Sequence, residues 1–189
     1  GINNLAVTSN NRFYGSKIKS LRIKHDKLVS KLQAKGTRAS KRKLKKISGR
    51  WKRFMAWINH NISKRIIESV PEGTVIVMED LTNIRRSCKY NKWVHKWAFR
   101  QLQSFIEYKG IRKGNRIVYV NPYRTSKDCP ICHNDLIRHN GFIECKFCGH
   151  SLNSDLNGSR NIAQRYTRNM CLVDVNQPYL ACNDDKASL

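Results

Sequence analysis

Apolar residues in the first third of the chain predict two short strands followed by two long helices. Residues 2–8 form the first candidate strand, and a second lies near residues 12–14, just before Gly15. Two series of apolar residues spaced three and four apart come next, and residues 36–40 interrupt them. The two series are Ile18, Leu21, His25, Leu28 and Leu32, then Leu44, Ile47, Trp51, Phe54, Ile58, Ile62 and Ile66. Because the interruption is short, we expect an antiparallel helical hairpin.

The middle of the chain predicts strands at residues 74–78 and 116–120, with an amphipathic helix at 93–109 between them. The first strand is nearly continuous in β-branched apolar residues, which is typical of a strand buried on both faces, and it leads directly into Glu79. The candidate core positions of the helix are Trp97, Leu102, Phe105 and Ile106.

The end of the chain predicts a last helix and then an irregular tail. The helix is expected from Ser154 to Arg165, with Ser154 as its N-cap, and residues 170–189 show no period. Since strands and helices alternate along the chain, the order favours a mixed α/β fold. We expect a largely parallel central sheet with helices on both faces.

The charge of the chain points to nucleic acid as its partner. The 189 residues include 37 Lys and Arg against 13 Asp and Glu, which gives a formal net charge of +24. Between residues 12 and 65 there are 19 basic residues, and Asp26 is the only acid. One-signed charge of this extent favours phosphate contact over a solvated helix face, which normally mixes signs. An anionic membrane is the second candidate, although these stretches lack the wide apolar face that lipid binding needs.

The apolar runs, the first residues and the cysteines of the chain predict its cellular compartment. No apolar run reaches the ~18 residues of a transmembrane helix, and the residues after Gly1 do not resemble a signal peptide. Seven cysteines is an odd number, and four of them follow a metal-binding pattern. This use of cysteine fits a reducing compartment, so we expect a cytoplasmic protein.

The four cysteines predict a zinc ribbon. Cys129 and Cys132 form one CxxC pair, Cys145 and Cys148 form a second, and twelve residues separate the pairs. Each pair places two thiolates on one tight turn, and two such turns complete a tetrahedral Zn²⁺ site. Because four sulfurs leave no open position, the predicted role of the zinc is structural. Residues 141–144 are expected to form the strand that leads into the second pair.

Other interpretations of these cysteines remain open at this point. They are two disulfides, a redox CxxC pair, or a site in which His133, His139 or His150 replaces one cysteine. Cys88, Cys171 and Cys182 have no partner at metal-binding spacing and are expected to be free or buried thiols.

Two carboxylates are candidate ligands for a second kind of metal. Glu79 stands at the carboxyl end of a predicted strand, where open α/β sheets place their sites, and Asp155 opens the last helix. Each also has a simpler explanation, as an ion-pair partner or as a first-turn helix acid.

Several blocks of the chain resemble one family of proteins. Three blocks follow one another along the chain: residues 77–81, residues 123–132, and residues 148–150 together with 153–163. The opening residues 1–7 resemble the first block of the same domain. In this order they resemble the RuvC-like nuclease domain of the TnpB (OrfB) proteins of insertion sequences, which are relatives of the miniature type V CRISPR effectors. The resemblance covers roughly residues 1 to 166.

The resemblance implies an RNase H-like (RuvC-type) fold with an inserted Cys₄ zinc ribbon. The nuclease core would comprise residues 1–124, with the basic hairpin at about 16–70, and the core would resume at 151–169 after a ribbon at 125–150. The implied activity is RNA-guided DNA cleavage, with DNA and a guide RNA as partners. The implied catalytic centre is an Asp-Glu-Asp trio that holds two Mg²⁺ ions, or Mn²⁺ in their place.

Within this resemblance, Glu79 and Asp155 match the second and third catalytic carboxylates. The first Asp is expected two residues before Gly1, outside the sequence. Asp80 is a poor substitute, since neighbouring strand residues point to opposite faces. Two-metal hydrolysis needs carboxylates that fix both ions, and Mg²⁺ binds poorly to few protein ligands. We therefore expect this chain alone to hold metal weakly and to cleave slowly or not at all.

Further residues are candidates for contact with nucleic acid. They are Lys41, Arg42, Lys45, Arg50, Arg53, Arg124, Ser126 and Arg160, with Thr125 beside them and the stacking candidates Trp51, Trp57, Trp93 and Trp97. Core packing is the better interpretation of Trp51 and Trp97.

Two alternatives to the nuclease hypothesis remain. One is a non-catalytic, ribbon-stabilised module that binds nucleic acid. The other is a transposase or junction resolvase on the same fold, because one scaffold of this kind hosts many activities.

Overall fold

The computed structural model describes residues 4–82 and 99–176, with side chains to Arg168. Its strands are β1 (Ala6–Val7), β2 (Phe13–Tyr14), β3 (Val75–Glu79), β4 (Arg116–Val120), β5 (Ile137–His139), β6 (Phe142–Glu144) and β7 (Ser151–Asn153). Its helices are α1 (Ile18–Lys35), α2 (Arg38–Glu68), α3 (Phe99–Arg112) and α4 (Ser154–Asn176). The predicted mixed α/β class is confirmed. The described part of the chain contains no helix with the length and apolar character needed to cross a bilayer.

The described strands form three separate sheets, of which only one is parallel, so the expected largely parallel central sheet is wrong for the described residues. β3 and β4 pair in parallel, whereas β1–β2 and β5–β6–β7 are antiparallel. Residues 2 and 3 of the first predicted strand lie outside the described residues, and among residues 4–8 only Ala6 and Val7 form a strand, which pairs with β2. β3 is half-buried along its length rather than buried on both faces, because β4 is its only paired strand in the described chain.

The helical hairpin forms as predicted. α1 ends at Gly36, whose left-handed backbone (φ 64°) suits glycine, and α2 begins after Thr37, whose hydroxyl accepts a hydrogen bond from the Ser40 amide (3.2 Å). The imidazole of His25 stacks on Trp51 with ring centroids 4.4 Å apart. These two residues lie at similar distances from the turn, as an antiparallel arrangement requires.

The core forms where the second half of α2 meets α3. Ile62, Ile66 and Ile67 from α2 are buried together with Leu102 and Ile106 from α3. Leu21 and Leu28, which the sequence pattern placed on the core face of α1, are instead exposed. The hairpin therefore extends beyond the core, and its apolar stripe is only partly covered.

Two lysines, Lys109 in α3 and Lys113 just after it, anchor the two helices to each other. Lys113 donates to the carbonyls of Ile67 (2.8 Å) and Val70 (2.5 Å), and it thereby satisfies acceptors at the carboxyl end of α2. Lys109 donates to the His60 carbonyl and to the Ser63 hydroxyl, both at 2.7 Å. Burial lowers the pKa of Lys109. These cations support packing and are not available to a phosphate.

The last helix is longer than predicted, and its cap is shifted by one residue. α4 continues to Asn176, so the expectation that residues 170–189 are wholly irregular is wrong for 170–176. Residues 159–177 contain neither glycine nor proline, and Pro178 provides the first strong stop signal. The N-cap is Asn153 rather than Ser154, because Asn153 Oδ1 accepts from the amides of Asp155 (3.0 Å) and Leu156 (3.3 Å).

The helix predicted at 93–109 is described from Phe99 and ends at Arg112. Its confirmed core positions are Leu102 and Ile106, while Phe105 is half-buried and stacks on His60 (3.8 Å). Trp93, Trp97 and Cys88 lie outside the described residues, as do Cys182 and the side chain of Cys171.

Gly15 is predicted to be much less tolerant of alanine than Gly36. Both have positive φ (74° and 64°), which costs an alanine about 1–2 kcal/mol. A Cβ at Gly15 would also lie 2.5 Å from Leu5 Cγ in the core, whereas nothing lies within 4 Å of one at Gly36. Overpacking adds about 1–3 kcal/mol at Gly15 alone. Urea unfolding of Gly15→Ala and Gly36→Ala measures both, and equal decreases in stability would contradict the described packing.

Candidate functional site

The two CxxC pairs form turns with the same hydrogen bonds. In the first, His133 N–H donates to the Cys129 carbonyl (3.1 Å), and Cys129 N–H donates to the Asn134 carbonyl (2.9 Å). In the second, Gly149 N–H donates to the Cys145 carbonyl, and Cys145 N–H to the His150 carbonyl, both at 2.9 Å. The residue after each second cysteine has positive φ, 61° at His133 and 69° at Gly149. The repetition shows two matched knuckles.

The four cysteine sulfurs converge on one point. All lie within 4.8 Å of one another, with Cys129–Cys148 at 3.6 Å and Cys132–Cys145 at 3.3 Å. A tetrahedral zinc with Zn–S bonds of about 2.3 Å places sulfurs about 3.8 Å apart. A disulfide needs about 2.05 Å, so the four cysteines are free thiols and the disulfide interpretation is wrong. No histidine of the described residues belongs to this group. The donor set therefore fits a metal such as zinc.

The local backbone favours the thiolate form of one of the four cysteines, Cys132. The Asn134 amide directs a hydrogen bond at the Cys132 sulfur, and this is the largest contribution that lowers the pKa of Cys132 to about 6. The sheet β5–β6–β7 supports the second knuckle, since β6 ends one residue before Cys145. The predicted strand at 141–144 is thereby confirmed, and β7 extends the ribbon's sheet to Asn153.

Glu79 lies at the carboxyl end of β3, beside the segment that leaves β4. Parallel strands end at the same edge of a sheet, and Glu79 pairs in register with Val120. Its side-chain Oε1 accepts a hydrogen bond from the Thr125 hydroxyl at 2.5 Å, and its backbone carbonyl accepts one from Gln103 on α3 at 2.7 Å. The side chain and backbone of Glu79 are thus fixed from two directions.

Asp155 lies in the first turn of α4, and this helix packs against both β3 and β1. Its Oδ2 accepts a hydrogen bond from the amide of Asn4 at 3.2 Å. Asn161, further along α4, donates to the backbone carbonyl of Thr125 at 2.8 Å. Thr125 in turn holds Glu79, so Glu79 is connected by a hydrogen-bond network through Thr125 and Asn161 to the helix that carries Asp155.

Asp80 is not part of this network. Its carboxylate accepts from the backbone and hydroxyl of Thr82 (2.9 and 2.6 Å), and these bonds lower the pKa of Asp80. In the described part of the chain, the four cysteines are the only group of three or more potential metal ligands within 4.8 Å. Glu79 and Asp155 therefore have no third such ligand among the described residues.

The network includes residues that the sequence analysis missed. Asn157 and Asn161 are almost fully buried on α4, and both donate to the Asp128 carbonyl (3.3 and 2.7 Å). With Asn153 they recur at every fourth position, which places all three on one face of the helix. That spacing is the signal by which they could have been found. The burial of Thr125, at 3% exposed, has no comparable signal in the sequence.

The predicted nucleic-acid contacts fall into two groups. Five of them are exposed along α2, without an acid before Glu68: Lys41, Arg42, Lys45, Arg50 and Arg53. Arg124 is instead bonded to Asp128 (2.8 Å) and Asp135, and the hydrogen bond to Asp128 is the main cause that raises its pKa. Arg160 donates to Asn11 (3.2 Å), while Ser126 is exposed.

The two tryptophans of α2 differ in their exposure. Trp51 is half-buried against the core cluster, as expected, whereas Trp57 is 61% exposed. Trp57 follows Arg53 by four residues, so the indole and the exposed guanidinium lie on the same face of the helix. An exposed indole beside a cation remains a candidate base-stacking surface.

Comparisons with known proteins find a matching family model and similar chains. A family model described as Cas12f1-like, TNB domain, matches residues 99–162. A TnpB-like protein from Methanocaldococcus jannaschii is 38% identical over 150 residues, which is 75% of this chain and 53% of that protein. A CRISPR-associated endodeoxyribonuclease Cas12f1 from Sulfoacidibacillus thermotolerans is 36% identical over 115 residues, which is 58% of this chain and 27% of that protein.

Solved structures share the fold. A Cas12f1–sgRNA–target DNA complex has a TM-score of 0.60 at 21% identity and covers 86% of this chain and 45% of that chain. A CRISPR-Cas12f ternary complex has a TM-score of 0.61 at 20% identity, with 86% and 37% covered. The fold and site thus define a Cas12f-like α/β protein with a cysteine ribbon. Together these findings support the TnpB family, which is related to the miniature type V CRISPR effectors. It spans about half or less of the length of these relatives.

One zinc per chain is the expected metal content of the purified protein. Replacing the fully buried Cys145 with Ser removes one of four sulfurs, so Cys145→Ser should lose most of the zinc and unfold at a lower temperature. Elemental analysis and thermal unfolding measure both effects. Cys88→Ser, outside both CxxC pairs, is the matched control and should retain its zinc. Full zinc retention by Cys145→Ser would contradict the Cys₄ site.

The exposed cations of α2 are predicted to set the salt dependence of nucleic-acid binding. Lys41→Gln, Arg42→Gln and Lys45→Gln together should weaken binding. The slope of log K against log salt should also become less steep, by about 0.7–0.9 for each phosphate that is no longer neutralised. Fluorescence anisotropy at several salt concentrations measures the slope. Lys64→Gln, whose ammonium pairs with Glu68 (3.7 Å), is the control. An unchanged slope in the triple variant would exclude α2 from the interface.

Proposed function

We propose that the chain is the nuclease domain of an RNA-guided DNA endonuclease with an RNase H-like core. Similarity to the TnpB family supports this, as do relatives named CRISPR-associated endodeoxyribonucleases. The observation that carries the proposal is the network that joins Glu79, at the end of β3, to α4, which begins with Ser154 and Asp155. A carboxylate at the end of a strand and a carboxylate at the start of a helix that packs against that strand are suitable ligands for divalent cations.

Glu79 and Asp155 are the proposed ligands of Mg²⁺ or Mn²⁺. Such ions, when bound, supply an activated water and stabilise the leaving oxygen of a phosphodiester. The chain's own contribution is to orient the carboxylates, since Thr125 fixes Glu79 Oε1 and Asn4 fixes Asp155 Oδ2. The family resemblance implies that a third carboxylate completes this ligand set, so we expect efficient cleavage only when all three carboxylates are present.

DNA and a guide RNA are the proposed partners. The resemblance to the family supports both, and the fold is shared with a Cas12f1–sgRNA–target DNA complex. The exposed cations of α2 supply phosphate contacts that do not depend on sequence, as a protein needs when base pairing carries the specificity.

Glu79→Gln and Asp155→Asn are each expected to reduce DNA cleavage by roughly 10³-fold or more while nucleic-acid binding is retained. The amides keep the size of the side chains but remove the charge that binds cations. Cleavage of labelled DNA by the full-length protein with its guide RNA measures the rate, and anisotropy measures binding.

Asp80→Asn is the matched control, because Asp80 is the adjacent carboxylate and its side chain is held by Thr82 rather than by the α4 network. It should cleave at close to the unmodified rate. Equal loss of cleavage in Asp80→Asn, or loss of binding together with cleavage in Glu79→Gln, would count against the proposed roles.

A further inference from the structure

Thr125 is a buried residue in the segment between β4 and Cys129, the first cysteine of the ribbon, and its hydroxyl lies against Glu79. The distance from Thr125 Oγ1 to Glu79 Oε1 is 2.5 Å, and that to the Pro122 carbonyl is 3.1 Å. A hydroxyl has one proton, so it donates to one acceptor at a time. The shorter contact is to the ionisable carboxylate, where a hydrogen bond is charge-assisted and stronger. The hydroxyl therefore selects one orientation of the Glu79 side chain.

The backbone around Thr125 is held by the ribbon and by α4 together. The two hydrogens of Asn161 Nδ2 are donated to the carbonyls of Thr125 (2.8 Å) and Asp128 (2.7 Å). Asn157 donates to the same Asp128 carbonyl at 3.3 Å. The Asp128 carbonyl belongs to the peptide bond that enters Cys129, the first cysteine of the ribbon. The position of Thr125 is thus tied to the base of the first knuckle.

Cys129 transmits the constraint from the metal-binding knuckle. It is fully buried, its amide donates to the Asn134 carbonyl (2.9 Å), and its carbonyl accepts from the His133 amide (3.1 Å). A metal held by all four cysteines fixes this turn, whereas an empty site leaves these backbone bonds and the contact of His133 Nδ1 with the Cys129 carbonyl (3.0 Å). A well-ordered ribbon can therefore fix the orientation of Glu79 through the short chain of contacts that runs from Cys129 to Thr125.

We infer that the ribbon positions the Glu79 carboxylate through Thr125, so that zinc at the four cysteines strengthens cation binding at Glu79. Thr125 is a positioning residue in this scheme and does not touch the cation. The inference rests on the proposed role of Glu79 as a metal ligand. Partners that orient a ligand in this way are typically worth about 10- to 100-fold in metal affinity.

The test is Mn²⁺ affinity in the zinc-loaded, full-length protein, measured from the electron paramagnetic resonance signal of free Mn²⁺. Thr125→Val keeps the shape but loses the hydroxyl, and we expect its Mn²⁺ dissociation constant to rise by about tenfold or more. Thr125→Ser keeps the hydroxyl and should remain within about threefold of the unmodified protein. Zinc content and unfolding temperature are measured on the same samples, so that loss of the fold is recognised.

The role of the ribbon is tested by combining Thr125→Val with Cys148→Ser, which weakens zinc binding. If both act through one path, each alone raises the Mn²⁺ dissociation constant and the double variant is little worse than Thr125→Val. Effects that multiply, or no effect of Cys148→Ser, would overturn the link between the ribbon and Glu79. Equal Mn²⁺ affinity in Thr125→Val and Thr125→Ser would overturn the positioning role.

Glu79→Gln separates this inference from the proposed function. If Glu79→Gln weakens Mn²⁺ binding but Thr125→Val does not, Glu79 is a ligand and only the positioning inference is wrong. If Glu79→Gln leaves Mn²⁺ affinity unchanged, the proposed metal site is wrong, and the inference falls with it.

Discussion

The parallel pairing of β3 with β4 is the constraint on which the candidate site depends. The two strands pair in register along their whole length, from Val75 with Arg116 to Glu79 with Val120, although they are far apart along the chain. Because parallel strands end at the same edge, Glu79 and the segment that leaves β4 meet there. That segment brings in Thr125 and then the ribbon. Without this register, the hydroxyl of Thr125 could not reach the carboxylate of Glu79.

Helix α4 completes the site because it is polar on the face that meets the ribbon base. Asn153 caps the helix, while Asn157 and Asn161 bind the Asp128 carbonyl. Buried amides are costly unless hydrogen-bonded. The carbonyls that accept from these amides belong to Thr125 and Asp128, just before the first cysteine of the ribbon. The cost of burying the amides is therefore offset only when the ribbon and the helix are correctly placed. The same contacts that stabilise the junction therefore also specify its geometry.

The basic hairpin serves a different physical purpose. Its cations lie on α1 and α2 with almost no acids among them, and a net charge of +24 disfavours the compact chain until an anion is bound. The hairpin keeps much of this charge away from the core, where Lys109 of α3 and Lys113 just after it serve the packing of the helices.

Much of this organisation follows from the sequence, and the exceptions have physical causes. The period of α1 and α2, the CxxC spacing and the strand before Glu79 each depend on local chemistry, which is why the pattern of residues predicts them. The separate sheets and the exposed Leu21 and Leu28 depend on long-range packing, which periodicity does not encode. The burial of Thr125 is equally hidden, because a lone threonine before a ribbon carries no local sign of it. The catalytic roles of Glu79 and Asp155 stay predictions.

The central claim is that Glu79 and Asp155 bind the same divalent cations. Anomalous diffraction at the manganese edge, from crystals of the full-length protein soaked in Mn²⁺, tests it most directly. The account predicts a manganese peak about 2.1 Å from a carboxylate oxygen of Glu79 or Asp155, with the other carboxylate bound to the same ion or its neighbour. A manganese peak that avoids both carboxylates, in crystals that hold zinc at the four cysteines, would contradict it.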